Sequence, residues 1–523
     1  MASQHALVII GLLLFLSLDW SFSNIQEEEL HANYWNNKGR QALHAALNVK
    51  PNTNKAKNLI LFLGDGMGMP TVTAARIMKG QLKGISGEEG SLAMDTFPNT
   101  ALSKTYNVDQ QMPDSAGTAT AYHCGVKANY GTLGVTASTK RNNCPAVFGN
   151  EVTSVLHRAK QAGKSVGIVT TTRVQHASPG ASYAHSADRQ WYADSDLTTE
   201  AIAGGCRDIA YQLVHNTEIN VILGGGRQYM FPRTTADPEY PDIKGSRNDG
   251  VDLTKEWLKN KRNAKYVWNK AEFDAVDPTN TDFLMGLFEP KDCRYELERD
   301  KSLDPSLTEM MEKAIKILQK NPNGYFLFVE GGRIDHGHHG NRAKMALYEA
   351  VEFDKAIERA AELTKEEDTL SVVTADHSHV FAFGGYSQRG NPVLGVSSGL
   401  AKDKKHFTTA VYGNGPGYKI VNGTRPDMNT AISSANDYRQ QTPVPLSSET
   451  HGSEDVAIFA KGPMSYLFHG VQEQSYIAHV MAYAACLEPY ADCQLASHCG
   501  TTYPSLLLLL MGLLLTLSPL RSL

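Results

Sequence analysis

The sequence predicts an α/β protein. A doubly wound, mostly parallel central sheet is flanked by helices and carries an inserted loop-rich subdomain and an N-terminal helix. Three observations carry this expectation. Short runs of Val, Ile, Leu and Phe recur at 58–63 (NLILFL), 165–170 (SVGIVT), 220–223 (NVIL), 325–329 (YFLFV) and 370–374 (LSVVT). Continuous apolar runs bounded by Gly or polar turns suit strands covered on both faces, as in parallel sheets. Amphipathic stretches lie between them, as at 345–363, where Leu347, Ala350, Val351, Asp354, Ile357 and Ala361 fall near helical spacing. Strand and helix in alternation give a doubly wound fold. The third observation is composition: 523 residues, 41% hydrophobic and 20% charged, which excludes a disordered chain, a collagen-like repeat and a coiled-coil rod. With 50 Lys+Arg against 55 Asp+Glu the net charge is −5, so no basic balance points to nucleic acid as a specific partner.

Taken in order, the chain opens on an apolar run at 6–18 (ALVIIGLLLFLSL). It is shorter than the roughly 20 residues a spanning helix needs. Ser21 and Ser23 occupy small-residue cleavage positions, so 1–23 reads as a secretory signal peptide with maturation near Asn24. The stretch 27–47 looks helical but lies outside the strand–helix alternation, free to pack on a partner subunit. From about 385 to 450 the chain is rich in Gly, Ser, Asn and Pro, with little helical periodicity. At the far end, 506–517 (LLLLLMGLLLTL) follows a short polar, small-residue stretch at 496–505. That pattern reads as a GPI-anchor signal, which would leave the mature protein on the outer leaflet, with a short tail-anchor helix as the alternative. Ala496, Ser497, Cys499 and Gly500 are each small enough for attachment. Seven cysteines suit a secreted chain, and the odd number leaves at least one unpaired. Cys486 and Cys493 could close a small loop, Cys144 and Cys206 are candidate long-range partners, and Cys124 and Cys293 are candidates for free thiols. Asn422-Gly423-Thr424 is a glycosylation sequon.

Chemistry collects after three of the strands. NLILFL runs into Gly64-Asp65-Gly66, YFLFV into Glu330-Gly331-Gly332-Arg333-Ile334-Asp335, and LSVVT into Ala375-Asp376-His377. Open α/β sheets bind ligands beyond the carboxyl ends of their strands, so these acids converge on one crevice. Crowded carboxylates repel, and cations are the simplest remedy. On a helical turn Asp335 and His339 share a face and could grip one ion. Asp376-His377-Ser378-His379 offers another acid–imidazole pair, and His451 in Glu449-Thr450-His451-Gly452 could return to the site. Ligands mixing imidazole and oxygen favour Zn²⁺, and all-oxygen sets favour Mg²⁺ or Ca²⁺. GDGMG fits neither a dinucleotide fingerprint nor a P-loop. Ser115, in Pro113-Asp114-Ser115-Ala116-Gly117, stands just ahead of a small-residue helical stretch. It reads either as a helix cap or as a nucleophile.

GDGMG, PDSAGTATA, FVEGGRIDHGHH, TADHSH and ETHG, in this order, resemble the alkaline phosphatases, from about 27 to 493, and most of all their vertebrate intestinal and placental branch. The resemblance implies hydrolysis of phosphate monoesters at alkaline pH through a phosphoserine at Ser115, with Arg189 clamping the phosphate. It implies two Zn²⁺ and one Mg²⁺ per subunit. Asp335, His339 and His451 would hold the first zinc, and Asp65, Ser115, Asp376 and His377 the second. Asp65, Ser178 and Glu330 would hold the magnesium, with His176 in its outer shell. A Ca²⁺ site would have Glu239, Glu289, Asp304 and the carbonyl of Phe288 as counterparts, within an insertion around 230–305. It also implies a homodimer, with 24–50 as an arm reaching across, 385–450 as a crown at the interface, and Tyr386 as an interface tyrosine. The catalytic core would then be 51–384 and 451–495, and the removed anchor signal 496–523. Two rivals are a related metal-dependent phosphodiesterase and a catalytically inactive cell-surface metal-binding protein.

Overall fold

In the computed structural model, residues 27–493 are described. The expected signal peptide and the anchor signal, with its attachment candidates from Ala496 to Gly500, lie outside them. The core is one sheet of ten strands. In chain order these are β1 (Asn58–Gly64), β2 (Asn99–Lys104), β3 (Ser165–Arg173), β4 (Val221–Gly225), β5 (Ala264–Val267), β6 (Phe283–Leu287), β7 (Tyr325–Gly331), β8 (Thr369–Ala375), β9 (Val456–Lys461) and β10 (Val471–Glu473). In space they run β10-β2-β9-β8-β1-β7-β3-β4-β6-β5. Neighbours are parallel except at β9, which is antiparallel to β2 and β8.

The five runs expected to be strands are β1, β3, β4, β7 and β8, which occupy consecutive central positions. Five further strands were not anticipated. β2 alternates between buried and exposed positions and β5 is only half covered, which weakens their signals, whereas β6 and β9 are short runs buried along nearly their whole length. The 230–305 stretch supplies β5 and β6 to one edge of the sheet.

Apart from α1 (Ala32–Asn48), helices cover both faces: α2 (Met69–Gln81), α3 (Ser115–Cys124), α4 (Leu307–Leu318), α5 (Arg333–His339), α6 (Ala343–Leu363) and α7 (Tyr476–Ala484). Alternate residues of β1 point to opposite layers. Ile60 and Phe62 join Val72 of α2, Met310 of α4 and Phe353 of α6 in one core. Leu59, Leu61 and Leu63 join Ala116 and Tyr122 of α3 and Ile477 of α7 in the other. Each fully buried side chain of this size contributes roughly 1.5–3 kcal/mol. The central strands are thus apolar on both faces, and their carboxyl ends are held rigidly in line.

Two regions stand apart from this core. α1 buries none of its residues, and Trp35, Leu43 and Leu47 are 56%, 61% and 75% exposed. An ion pair from Glu29 to Arg389 ties the turn ahead of α1 to the 385–450 segment. The 385–450 segment holds together through very short pairings, Ala410–Tyr412 with Phe381–Phe383 and Asn414–Gly415 with Val444–Pro445. Tyr386 stands wholly exposed from it at φ 56°, and Asn422 is exposed on a turn. Disulfides join Cys144 to Cys206 and Cys486 to Cys493, while Cys124 and Cys293 are buried and free. Among the described residues, no helix is long and apolar enough to cross a membrane.

Candidate metal centre and active site

The crevice is built where β1, β7 and β8 end side by side, with Gly64 level with both Gly331 and Ala375. β1 turns at Gly66, whose φ of +68° suits glycine; a Cβ there would stand 2.3 Å from His379 Nε2. The turn presents Asp65, fully buried. β8 delivers Asp376 and His377, both fully buried. β7 delivers Glu330, then α5 begins and sets Asp335 and His339 one turn apart, with Nε2 3.3 Å from Oδ1. The chain re-enters after the crown through a two-residue pairing of His451–Gly452 with Ser378–His379. This pairing stacks the His451 ring on His377 at 3.5 Å and puts His451 Nε2 3.4 Å from Asp335 Oδ1.

Ser115 is the first residue of α3, and the helix cap is Asp114, whose carboxylate accepts from Gly117 N–H. The cap role considered for Ser115 therefore falls to its neighbour, which frees the Ser115 hydroxyl. That hydroxyl lies 3.2 Å from His377 Nε2. The N-terminus of α3 adds its favourable field for anions there. Arg189 reaches the same end of the crevice. It donates to Asp114 Oδ2 at 3.1 Å and lies 3.1 Å from His176 Nε2, while its backbone N–H donates to Gly131 O. Asp114 thus caps the helix that Ser115 begins and also holds Arg189.

Several residues converge in numbers that metal ions require. Asp65, Asp376 and His377 form one group of donors, Asp65, His176 and Glu330 a second, and Asp335, His377, His379 and His451 a third. Within each group the donor atoms lie within 4.8 Å of one another. Both Asp65 oxygens, Ser178 Oγ, Glu330 Oε1, Asp376 Oδ2 and His176 Nδ1 are buried without any hydrogen-bond partner. Stranded lone pairs of this kind cost about 1–3 kcal/mol each, more for charged groups, unless a cation meets them. The residues therefore fit bound metal ions.

The electrostatics agree. Burial and then the neighbouring Asp376, Asp335 and Glu330 carboxylates push Asp65 well above the usual carboxylate range. Burial raises Glu330 to about 7, even though Thr170 and Thr172 donate to it. Asp335 goes the other way: against the pull of burial, His339, His379 and His451 hold it well below the ordinary value.

Two participants were not singled out from sequence. His379 Nε2 lies 2.8 Å from Asp335 Oδ1, and its Nδ1 lies 2.5 Å from Glu449 Oε2. Glu449 O also accepts from His339 Nδ1 at 2.6 Å. Their signal was present in TADHSH and ETHG, but only the return of the chain beside β8 makes them partners.

A separate cluster joins Glu239, Glu289 and Asp304. It contains no imidazole. Arg227 donates to Glu239 at 2.7 Å, Arg294 donates to Glu289 at 2.8 Å, and Asp304 Oδ1 is buried without a partner. Burial, followed by Glu289 and Glu239, raises Asp304 to about 7. Phe288 is the buried residue immediately before Glu289. The all-oxygen donor set fits a hard cation. A cavity of about 1040 Å³ in the crown, lined by Phe381, Tyr412, Met428 and Tyr438, carries none of these ligands.

The geometry can be set beside known proteins. The family profile described as alkaline phosphatase matches residues 56–487. The tissue-nonspecific isozyme of alkaline phosphatase from Felis catus is 56% identical over 523 residues, covering 98% of this chain and 99% of that protein. An alkaline phosphatase from Gadus morhua is 58% identical over 469 residues, covering 88% of this chain and 98% of its own. Among solved structures, alkaline phosphatase from the Antarctic bacterium TAB5 superposes with a TM-score of 0.58 at 21% identity, covering 83% of this chain and 99% of that one. The Thermus thermophilus enzyme gives 0.60 at 21%, covering 86% and 98%. These two share the fold. The profile and the full-length relatives settle the lineage: the chain belongs to the alkaline phosphatase family, metal-dependent enzymes that hydrolyse phosphate monoesters.

Proposed function

We propose that this chain hydrolyses phosphate monoesters to an alcohol and inorganic phosphate through a covalent phosphoserine at Ser115. The observation that carries the reading is one hydroxyl without a capping role, at a helix N-terminus, 3.2 Å from His377 Nε2 and facing stranded carboxylates with an arginine opposite. Arg189 binds two phosphate oxygens through its planar fork. Ser115 Oγ attacks phosphorus as the ester P–O bond breaks in line, and the alcohol leaves. Water then attacks the phosphoserine, the Oγ–P bond breaks, and phosphate departs while Ser115 regains its proton. Alkaline pH favours both halves, because the hydroxyl and the water react in deprotonated form. Two zinc ions and one magnesium ion would supply positive charge to the entering and leaving oxygens. Asp335, His339 and His451 would hold one zinc, Asp65, Asp376, His377 and Ser115 the other, and Asp65, Ser178 and Glu330 the magnesium. A calcium ion would sit among Glu239, Glu289, Asp304 and the Phe288 carbonyl.

We assign the chain to the outer leaflet through a GPI anchor, and to a homodimer. The uncovered Trp35, Leu43 and Leu47 of α1 and the protruding Tyr386 support a partner subunit. The proposed division is 24–50 as an arm, 385–450 as a crown, and the rest of the mature chain as the core. Comparing p-nitrophenyl phosphate with bis(p-nitrophenyl) phosphate tests the reaction. The monoester should turn over far faster, and equal or faster cleavage of the diester would overturn the reading. Chelation should abolish activity, with recovery on adding zinc and magnesium.

A further inference from the structure

The loop after β6 carries a carboxylate that none of these roles uses. Asp292 follows Glu289 by three residues but turns toward the crevice rather than the acidic cluster. Its Oδ1 accepts from the Arg173 backbone N–H at 2.9 Å and from Arg173 Nη1 at 2.7 Å, and its Oδ2 accepts from the same nitrogen at 2.9 Å. The pair is largely sheltered, with side-chain exposures of 15% and 17%. Asp292 Oδ2 also lies 3.8 Å from Arg333 Nη1 and 3.9 Å from His336 Nδ1. Arg333 Nη1 is 2.8 Å from that same His336 nitrogen. Asp292 is thus hydrogen-bonded to Arg173 and lies within ion-pair range of Arg333 and beside the His336 ring.

These groups converge on His176. Arg173 O accepts from the His176 backbone N–H at 2.9 Å, and the His336 ring meets the His176 ring edge-on at 5.5 Å. Arg173 is locked on its other side as well, donating to Tyr192 OH at 2.7 Å and lying over the Tyr192 ring. His176 Nε2 is 3.1 Å from Arg189 Nη2, the fork assigned to the phosphate. Without the Asp292 carboxylate between them, the Arg173 and Arg333 guanidinium groups would face each other with no counter-charge.

We propose that Asp292 is a positioning residue for phosphate binding: by anchoring Arg173 and the Arg333–His336 pair, it holds the His176 ring against Arg189 and so aims the guanidinium. Asp292 touches no reacting atom. Its contribution falls on the affinity for the phosphate group, shared by substrate and product. Outer partners of this kind typically change activity or affinity by 10- to 100-fold.

The inference rests on Arg189 as the phosphate clamp, and the two can be told apart. In the metal-replete full-length enzyme, Asp292→Asn should raise KM for p-nitrophenyl phosphate and the inhibition constant for inorganic phosphate together, by roughly 10- to 100-fold. kcat should change much less and zinc and magnesium content should stay at the wild-type level, while Asp292→Glu should recover part of the affinity. An inhibition constant for phosphate that stays at the wild-type value overturns the proposal, as does a loss of kcat that tracks loss of metal. Should Asp292→Asn leave Arg173 too strained to fold, the double variant Arg173→Met/Asp292→Asn removes both charges. It should fold and show the same weakened phosphate inhibition, and wild-type inhibition in that variant is equally fatal. Arg189→Ala is the control. If it leaves phosphate inhibition unchanged, the clamp assignment itself fails. If it weakens inhibition while Asp292→Asn does not, only the role of Asp292 fails.

Discussion

The crevice beyond β1, β7 and β8 and the Glu239–Glu289–Asp304 cluster both gather carboxylates from segments far apart in the sequence, yet they are furnished differently. The crevice adds imidazoles and a hydroxyl, and leaves both oxygens of Asp65 without protein partners. The acidic cluster adds neither, and Arg227 and Arg294 already satisfy part of its charge. The first arrangement fits cations and sets a hydroxyl beside the same donors. The second demands at most one hard cation and offers nothing that reacts. Carboxylates crowd in both places, and what differs is the company they keep: imidazoles and a hydroxyl in the crevice, arginines in the acidic cluster.

Four experiments would break or sharpen that contrast. Ser115→Ala should have the largest effect, a fall in kcat on the order of 10³-fold or more, with metal content by elemental analysis nearly unchanged. Turnover at the wild-type rate would remove the crevice's claim to a nucleophile. Next comes the support behind the imidazoles. Glu449→Gln takes the anion from His379 and should weaken zinc retention roughly 10- to 100-fold in competition with a chelator. Unaltered retention would mean that His379 and Glu449 are only packing. In the other cluster, Asp304→Asn should abolish the rise in melting temperature on adding Ca²⁺ while changing kcat less than about twofold. A collapse of kcat at full zinc occupancy would erase the distinction between the two regions.

The smallest effect is a pH dependence of the ion-free protein. Asp304 titrates near 7 when folded, against about 4 for a free aspartate. Because the folded-state value is raised, its contribution to stability is fully present below about 4 and is lost as pH climbs through about 7. Chelated protein should therefore melt several degrees lower at pH 8 than at pH 5 from this group, and Asp304→Asn should flatten that slope. An equal slope in wild type and variant would assign the effect to other groups.

Legibility followed chain locality. The central strands β1, β3, β4, β7 and β8 were readable because burial on both faces forces an unbroken apolar run. β2 and β5, half covered, carry no such run and were missed. In the site, Asp335 and His339 were readable as a pair because one helical turn sets them together. The cap at Ser115 was misplaced by one residue, since both Asp114 and Ser115 are good capping types and only the backbone decides between them. His379 and Glu449 escaped notice as partners because they stand 70 positions apart in the chain.

What the sequence settled alone was local: which runs are strands, which residues follow them, and that acids and imidazoles stand at strand ends. Periodicity and turn chemistry act over a few residues, so they can be read along the line of the chain. What the tertiary structure decided was adjacency. The order in which the strands line up, and the short pairing that brings His451 back beside His379, place groups hundreds of residues apart within one crevice. Strand order is chosen by packing two apolar layers over the whole sheet, a global sum that no single stretch of sequence contains.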